Sequence, residues 1–183
     1  MNIKVDIQGP FGWPNYEDSK PVLPTKSGVY ITCFAYEDSY IPWGVGVTKR
    51  KFRTRFMEHT TKFINGDYNI LNYEKAIQAR RQLAWKGWTW TEEKKAIFLQ
   101  NKAEILKDAV TQLISTYIFI IELEGIIRLE RLESALVDNF HSKGNILIDT
   151  GMMLSRRWHN EEIINVSFNR HSIIHQLPMS LTI

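Results

Sequence analysis

The sequence predicts one mixed α/β domain, a small central β-sheet flanked by helices. Its 183 residues are 44% hydrophobic and 23% charged, which is enough for one domain with a sizeable core. Apolar runs of strand length alternate with segments of helical periodicity. In the middle of the chain the elements follow the order β-β-α-insert-β-α, and consecutive elements usually pack as neighbours.

Three strands are predicted in the first 50 residues. Residues 2–8 alternate apolar and polar side chains, which indicates a short strand, and a loop rich in Gly and Pro follows up to Ser27. Residues 28–36 and 40–47 are rich in strand-forming residues and are joined by a short polar turn, so they are expected to form a hairpin. In the second of these strands, Gly44 and Gly46 leave one face almost bare.

Two helices are predicted after this hairpin. Thr48 is a plausible N-cap for a helix ending near Ile64, with a single phenylalanine face (Phe52, Phe56 and Phe63). Residues 73–85 are compatible with helix. Thr91 can cap a longer helix through residue 114. Its expected buried stripe is Ile97, Ile105, Leu106, Ala109, Leu113 and Ile114.

The remaining elements complete the predicted core. The continuous apolar run 116–123 indicates a central strand, and residues 126–141 are expected to form a third helix. A further strand is predicted at 163–168. The whole chain, 1–183, is therefore interpreted as one domain. Its parts are a core (27–145), a helical insert (about 65–115), an N-terminal extension (1–26) and a C-terminal tail (146–183).

Composition excludes several classes of protein. The net charge is only +3, no apolar run approaches the roughly 20 residues of a membrane helix, and the N-terminus lacks a signal-peptide pattern. The single cysteine, Cys33, excludes an intrachain disulfide framework. We therefore expect a cytoplasmic protein with no membrane partner. Positive charge is concentrated between residues 49 and 62, where six basic residues face one acidic residue.

Chemistry-bearing residues fall on the predicted elements in a defined order. Tyr30 ends the triplet Gly-Val-Tyr on the first hairpin strand, and Gly-Val-Gly occupies 44–46 on the second. Arg55 and His59 are four residues apart, so they share one face of the first helix. Glu133 lies on the third helix, and Asn145 follows twelve residues later.

This ordered set resembles the GIY-YIG nuclease family, over about residues 27–145. The family pattern has a GIY triplet and a YIG triplet on neighbouring strands. A helix with Arg and often His follows, and a later helix carries Glu. The second-triplet Tyr is replaced here by Gly44, and Arg55 lies nine residues past Gly46 where about eight are expected. The resemblance implies a DNA endonuclease that uses one divalent metal, Mg²⁺ or Mn²⁺.

The resemblance also implies roles for individual residues. Glu133 would hold the metal, Arg55 would bind the phosphate oxygens with its planar fork, and Tyr30 would activate or orient the attacking water. His59 would accept a proton from a tyrosine or contact a phosphate. An isolated Tyr has a pKa near 10, so Tyr30 needs nearby positive charge to ionise near neutrality. The expected DNA contacts are made by Lys49, Lys51, Arg53 and Asn145.

Two other functions remain open at the sequence level. Gly44 is compatible with a DNA-binding relative that has lost catalysis, and the same fold can serve as a protein-interaction module. Tryptophans at 85, 88 and 90 lie near basic residues, an arrangement that can bind nucleic acid but more often forms a small satellite core. No separate DNA-reading domain is visible, so specificity would come from the insert, the tail or a homodimer.

Overall fold

The fold is a mixed six-stranded sheet with helices on both faces. A computed structural model describes residues 1–87, 90–123, 128–149 and 156–183. The strands are β1 (Asn2–Gly12), β2 (Gly28–Tyr36), β3 (Ser39–Thr48), β4 (Ile70–Leu71), β5 (Leu83–Trp85), β6 (Tyr117–Ile121), β7 (Asn165–Asn169) and β8 (Ser180–Thr182). The helices are α1 (Phe52–Ile64), α2 (Tyr73–Ala76), α3 (Glu92–Gln100), α4 (Lys102–Ser115) and α5 (Leu129–Ser142), with a 3₁₀ turn at His171–Ile173. This confirms the predicted fold class.

The strand order in the main sheet is β3-β2-β6-β1-β7-β8. β2 is antiparallel to both β3 and β6, β1 is antiparallel to β6, and β1 runs parallel to β7. The first residues of the chain therefore lie in the middle of the sheet, and the tail supplies its far edge. β4 and β5 form a separate two-stranded sheet within the insert.

Two hydrophobic layers enclose the main sheet. Odd-numbered residues of β2, such as Val29 and Ile31, pack in one cluster with Leu132 and Leu136 of α5. Tyr30, between them, belongs to the opposite cluster. That cluster contains the α1 phenylalanines, residues of α4, and Ile118 and Ile120 of β6. The alternation follows from the two-residue repeat of a strand.

Several predicted boundaries are wrong at the level of single elements. The first strand continues to Gly12, through residues assigned to a loop. α1 begins at Phe52 because the Thr48 side chain bonds the backbone of Arg50 and does not cap a helix. Its end at Ile64 and its phenylalanine face are confirmed. Helix in the region 73–85 is confined to α2.

The long helix predicted over 91–114 is two helices. α3 ends at Gln100 and α4 begins at Lys102, with Asn101 between them. The break changes the buried stripe: Ile97 and Ile114 are exposed, whereas Phe98 and Gln112 are buried. The predicted third helix is α5, and its first two expected residues, 126 and 127, lie outside the described residues. None of the described helices has the length and apolar character needed to span a membrane.

The two isoleucines of α4 provide a test of its orientation. Ile105 is buried against the α1 layer, so Ile105→Ala should lower the free energy of unfolding by about 2–5 kcal/mol through lost contacts and a cavity. Ile114→Ala makes the same chemical change at an exposed position and should alter the free energy of unfolding by no more than about 0.5 kcal/mol. Urea unfolding measures both. Equal losses for the two variants would contradict the assigned helix face.

Candidate active site

A cavity lies over the two glycines of β3, and its floor is formed by their bare backbone. Tyr30 pairs with Gly46 and Thr32 pairs with Gly44 in the β2–β3 ladder, so all four residues share one face. A Cβ added at Gly46 would overlap the hydroxyl of Tyr30. Glycine at position 46 therefore lets the Tyr30 ring lie across the neighbouring strand. The structure brings Tyr30, Arg55, His59 and Glu133 together in the lining of this cavity.

A hydrogen-bonded chain leads from Tyr30 through α1. The Tyr30 hydroxyl lies 2.9 Å from Nε2 of His59, and Nδ1 of His59 lies 3.2 Å from the hydroxyl of Tyr68. In the tautomer with the proton on Nδ1, His59 donates to Tyr68 and accepts from Tyr30. The phenol oxygen of Tyr30 then keeps its lone pairs available to the cavity.

Burial keeps the Tyr30 phenol and the His59 imidazole neutral. It raises the pKa of Tyr30 to about 12, and the nearby Arg55 charge, which favours the phenolate, only partly offsets this effect. Burial also lowers the pKa of His59 to about 4, with Arg55 acting in the same direction. At pH 7 the site therefore contains a neutral phenol and a neutral imidazole.

Arg55 is the cationic member of the group. Its side chain is about one third exposed, and Nη1 lies 3.5 Å from Oε2 of Glu58. Glu58 is also held by Arg50, whose Nη2 lies 2.7 Å from the same carboxylate oxygen. Nε of Arg55 is buried and has no hydrogen-bond partner among the described residues. The guanidinium therefore retains donors that an anion in the cavity can use.

Glu133 reaches the same cavity from α5, in the opposite layer. Its neighbours Leu132 and Ser134 are buried, and Glu133 itself is partly buried at the rim of that layer. Burial and then the nearby Glu130 charge raise the pKa of Glu133 to about 7, although Arg55 opposes the shift. Within the described part of the chain, Glu133 makes no hydrogen bond or ion pair.

The single carboxylate of Glu133 fits a hard divalent cation whose other ligands are water and substrate oxygens. Among the residues that the structure describes, no three His, Cys, Asp or Glu side chains are grouped as metal ligands. Mg²⁺ commonly binds through one or two carboxylates together with water and substrate phosphates. The desolvated and unpaired carboxylate of Glu133 matches such a single protein ligand, because a cation would relieve the cost of its burial.

The basic segment 49–62 is largely neutralised by acids from elsewhere in the chain. Lys49 pairs with Glu130, Arg53 with Glu17, and Lys62 with Asp67, in addition to the pairs that Arg50 and Arg55 make with Glu58. Among the six basic residues of this segment, and within the described chain, Lys51 alone has no ion pair. It is exposed and lies beside Arg53 in a shallow surface depression at the start of α1.

Asn145 lies apart from the cavity and is buried. Its side-chain amide donates to the carbonyl of Pro42 at 3.0 Å, and its oxygen accepts from the backbone N–H of Leu147 at 2.9 Å. Both ends of the side chain are therefore used to fasten the segment after α5 to β3. The expected DNA contact of Asn145 stays a prediction.

Three lining residues, Trp13, Tyr68 and Gln112, were not identified from the sequence. Trp43, which precedes Gly44 and is a candidate to replace the missing motif tyrosine, also lines the cavity. These four residues come from four separate segments, so no spacing in the sequence links them. Of the tryptophans in the insert, Trp85 is buried and packs with Trp90 and Phe98, as expected for a satellite core, whereas Trp88 lies outside the described residues.

Scans against family models and searches of curated proteins and of solved structures found no match for this chain. The interpretation of the site therefore rests on its own geometry and on the ordered motif residues.

The raised pKa of Glu133 predicts a pH-dependent cost to stability. The folded protein disfavours the ionised carboxylate, so stability is lost as the pH rises from about 4.5 through about 7. Glutamine cannot ionise. After allowance for solvent at this partly exposed group, Glu133→Gln should raise the free energy of unfolding by about 1–2 kcal/mol at pH 8 and have little effect at pH 4.5.

Urea unfolding at the two pH values measures this difference. Glu93→Gln, on the exposed first turn of α3, is the matched control for the same chemical change. A Glu133→Gln variant whose stability relative to wild type is independent of pH would contradict the assigned environment of Glu133.

Proposed function

We propose that this protein is a divalent-metal-dependent DNA endonuclease of GIY-YIG type. The observation that carries the proposal is the convergence of Tyr30, Arg55 and Glu133, from two strand-packed helices and one strand, on a single cavity. Hydrolysis of a phosphodiester requires a positioned water, a cationic clamp on the phosphoryl oxygens and charge neutralisation, and the three residue types supply these functions.

Arg55 provides the phosphate clamp. Its guanidinium has a planar set of donors that matches two non-bridging oxygens, and its buried Nε has no partner within the described chain. The Glu58 contact at 3.5 Å is long and partly exposed, so a phosphate can compete for the same nitrogen. Arg55 would therefore orient the phosphate over the cavity floor.

Tyr30 and His59 orient the attacking water and accept its proton. With its own proton donated to Nε2 of His59, the Tyr30 oxygen can accept a hydrogen bond from a water facing the phosphorus. As the water oxygen attacks phosphorus, the P–O bond to the leaving sugar oxygen breaks. The water proton passes to Tyr30 while the Tyr30 proton passes to His59, which releases it to solvent, and the leaving oxygen takes a proton from solvent. The negative phosphate would raise the low pKa of His59 and make this transfer easier.

Glu133 provides the anchor for the metal. A Mg²⁺ or Mn²⁺ ion bound there would stabilise negative charge on the phosphoryl and leaving oxygens. The Glu133 carboxylate must be ionised to bind a cation, and its pKa of about 7 makes that binding sensitive to pH near neutrality.

We also propose a cytoplasmic location for the protein, where the single cysteine, the buried Cys33, would stay reduced.

A catalytically inactive DNA-binding protein is the second candidate. It is favoured because Gly44 replaces the second motif tyrosine and because burial raises the pKa of the remaining Tyr30 to about 12. In that case Arg55 and Lys51 would still bind phosphate, but no water would be activated. A protein-binding module on the same fold is a third candidate, and DNA-binding measurements separate it from the other two.

Plasmid nicking tests the catalytic proposal. Wild type should nick DNA in Mg²⁺ or Mn²⁺ and not in EDTA, and Glu133→Gln should lose at least about 10³-fold in rate because the metal anchor is removed. Tyr30→Phe should lose a rate factor of about 10²–10⁴. Both variants should retain DNA binding in a gel-shift assay, with Glu133→Gln equal to or slightly tighter than wild type.

Glu93→Gln is the control and should nick at the wild-type rate. Absence of metal-dependent nicking by wild type over varied DNA substrates, with binding retained, would favour the inactive DNA-binding protein. Nicking by Glu133→Gln at the wild-type rate would refute the assignment of the metal carboxylate.

The salt dependence of DNA binding tests the role of Lys51. Each phosphate contact releases condensed counterions, so Lys51→Ala should weaken binding to all sequences similarly and reduce the slope of log K against log salt by about one unit. Lys102→Ala, on the exposed first turn of α4, is the control and should leave the slope unchanged. An unaltered slope for Lys51→Ala would exclude this end of α1 from the DNA surface.

A further inference from the structure

The cavity extends well beyond the residues that the proposed chemistry uses. Its volume is about 290 Å³, close to the lower end of the roughly 300–1,000 Å³ of small-molecule sites. Its lining also includes Trp43, Phe63, Leu71 and Leu147, together with Tyr68, whose hydroxyl lies 3.2 Å from Nδ1 of His59; these residues are called the chamber below. A phosphate clamp and a water site need no such aromatic chamber, so the chamber requires an explanation of its own.

Gly44 leaves the floor of this chamber open. An added Cβ at Gly44 would meet Thr32 Oγ1 at 2.6 Å, and no other non-neighbouring heavy atom lies within 4 Å of it. The nuclease pattern has its second tyrosine at position 44. Here no side chain other than that of Thr32 approaches the Cβ position of this residue. A flat ring from another molecule can occupy the same space.

Two buried donors in the lining have no partner within the described chain. Gln112 is almost completely buried, and its Oε1 accepts from the backbone N–H of Leu71 at 2.8 Å, which leaves Nε2 unpaired. Nε1 of Trp43 is likewise buried and unpaired. Leaving a buried donor unsatisfied costs about 1–3 kcal/mol, so such groups commonly mark a ligand position.

We propose that this chamber binds one unpaired nucleobase of the DNA whose phosphate lies at Arg55. The inference rests on the proposed function, because it takes the adjacent Tyr30–Arg55–Glu133 group as the phosphate site. The Trp43 ring already stacks with Trp13 and Phe34. The base would therefore stack on the Tyr68 ring and meet Trp43 at its edge. Its carbonyl or ring-nitrogen acceptors would satisfy Nε2 of Gln112 and Nε1 of Trp43. The substrate would be single-stranded DNA, or a duplex in which one nucleotide is extruded.

The chemistry of the chamber favours a base over a purely apolar ligand. An apolar ligand would leave both donors unsatisfied, whereas every nucleobase combines a flat π-face with acceptors on its edge. The lining also contains polar groups that suit a sugar-phosphate backbone: Asn69 and Arg81, which both contact Asp149. The chamber and the clamp belong to one continuous cavity, so base and phosphate of one nucleotide can be bound together.

Mononucleotide binding tests the proposal without the complication of several binding registers on a longer strand. Thymidine 3′,5′-bisphosphate carries a base and both flanking phosphates, and its abasic deoxyribose analogue carries the phosphates alone. Calorimetric titration of wild-type protein in EDTA should give at least about tenfold tighter binding for the thymidine compound, as expected for one stacked base. Equal affinities, or no binding of either compound at millimolar concentration, would overturn the proposal.

Filling the chamber should remove this difference. In Thr32→Ala/Gly44→Leu the Thr32 hydroxyl no longer obstructs position 44, and the leucine side chain occupies the floor. This double variant should bind the thymidine and abasic compounds equally, whereas the matched control Thr32→Ala should keep the preference for thymidine. A double variant that folds, as judged by its circular dichroism melt, and keeps the full preference would overturn the proposal.

A second variant decides the question if the double variant does not fold. Gln112→Glu keeps an oxygen for the N–H of Leu71 and replaces the Nε2 donor, so it should lower the preference for the thymidine compound over the abasic compound several-fold. Repulsion between a glutamate charge and the phosphates acts on both compounds and cancels in this ratio. An unchanged thymidine preference would count against the chamber as the base site.

The plasmid assay separates this proposal from the nuclease proposal. Metal-dependent nicking without any base preference would sustain the nuclease and reject the base chamber. A base preference without nicking would sustain the chamber in a nucleic-acid-binding protein that has lost catalysis.

Discussion

The contact between the Tyr30 ring and the bare backbone of Gly46 sets the geometry of the site. The two residues are paired in the β2–β3 ladder, and a side chain at position 46 would displace the phenol. With the ring across β3, its hydroxyl meets Nε2 of His59 at 2.9 Å and faces the same cavity as Arg55. The position of the Tyr30 hydroxyl beside His59 thus depends on the glycine at position 46.

Burial in that cavity has a consistent electrostatic consequence. It disfavours the charged form of each titratable group, so the pKa of Tyr30 rises to about 12, that of His59 falls to about 4, and that of Glu133 rises to about 7. Arg55 opposes the shifts of Tyr30 and Glu133 and reinforces the shift of His59. Apart from Arg55, the protein groups of the site therefore carry little charge near neutrality, and a cation and a phosphate bound there would favour their ionised forms.

Local features could be predicted from the sequence, whereas partners distant in the chain could not. The hairpin, the phenylalanine face of α1 and the elements that carry Tyr30, Arg55 and Glu133 follow from short periodic patterns. The central position of β1, the ion pair of Arg53 with Glu17 and the bonds of Asn145 to β3 depend on long-range packing, which no local spacing encodes. The helix break at Asn101 was missed because apolar periodicity continues across it.

Gly44 and Gly46 are required by the fold to different degrees, although both lie on the same face of β3. At Gly46 a side chain would strike the Tyr30 ring, whose position is held by His59 and by packing against Phe52 and Phe56. At Gly44 the obstruction is a single hydroxyl, that of Thr32, on a side chain with one rotatable bond. Steric conflict therefore explains fully why position 46 is glycine, and explains only in part why position 44 is glycine. The open space over Gly44 is then a property of the cavity, and the unpaired Gln112 and Trp43 donors that border this cavity give that space a chemical use.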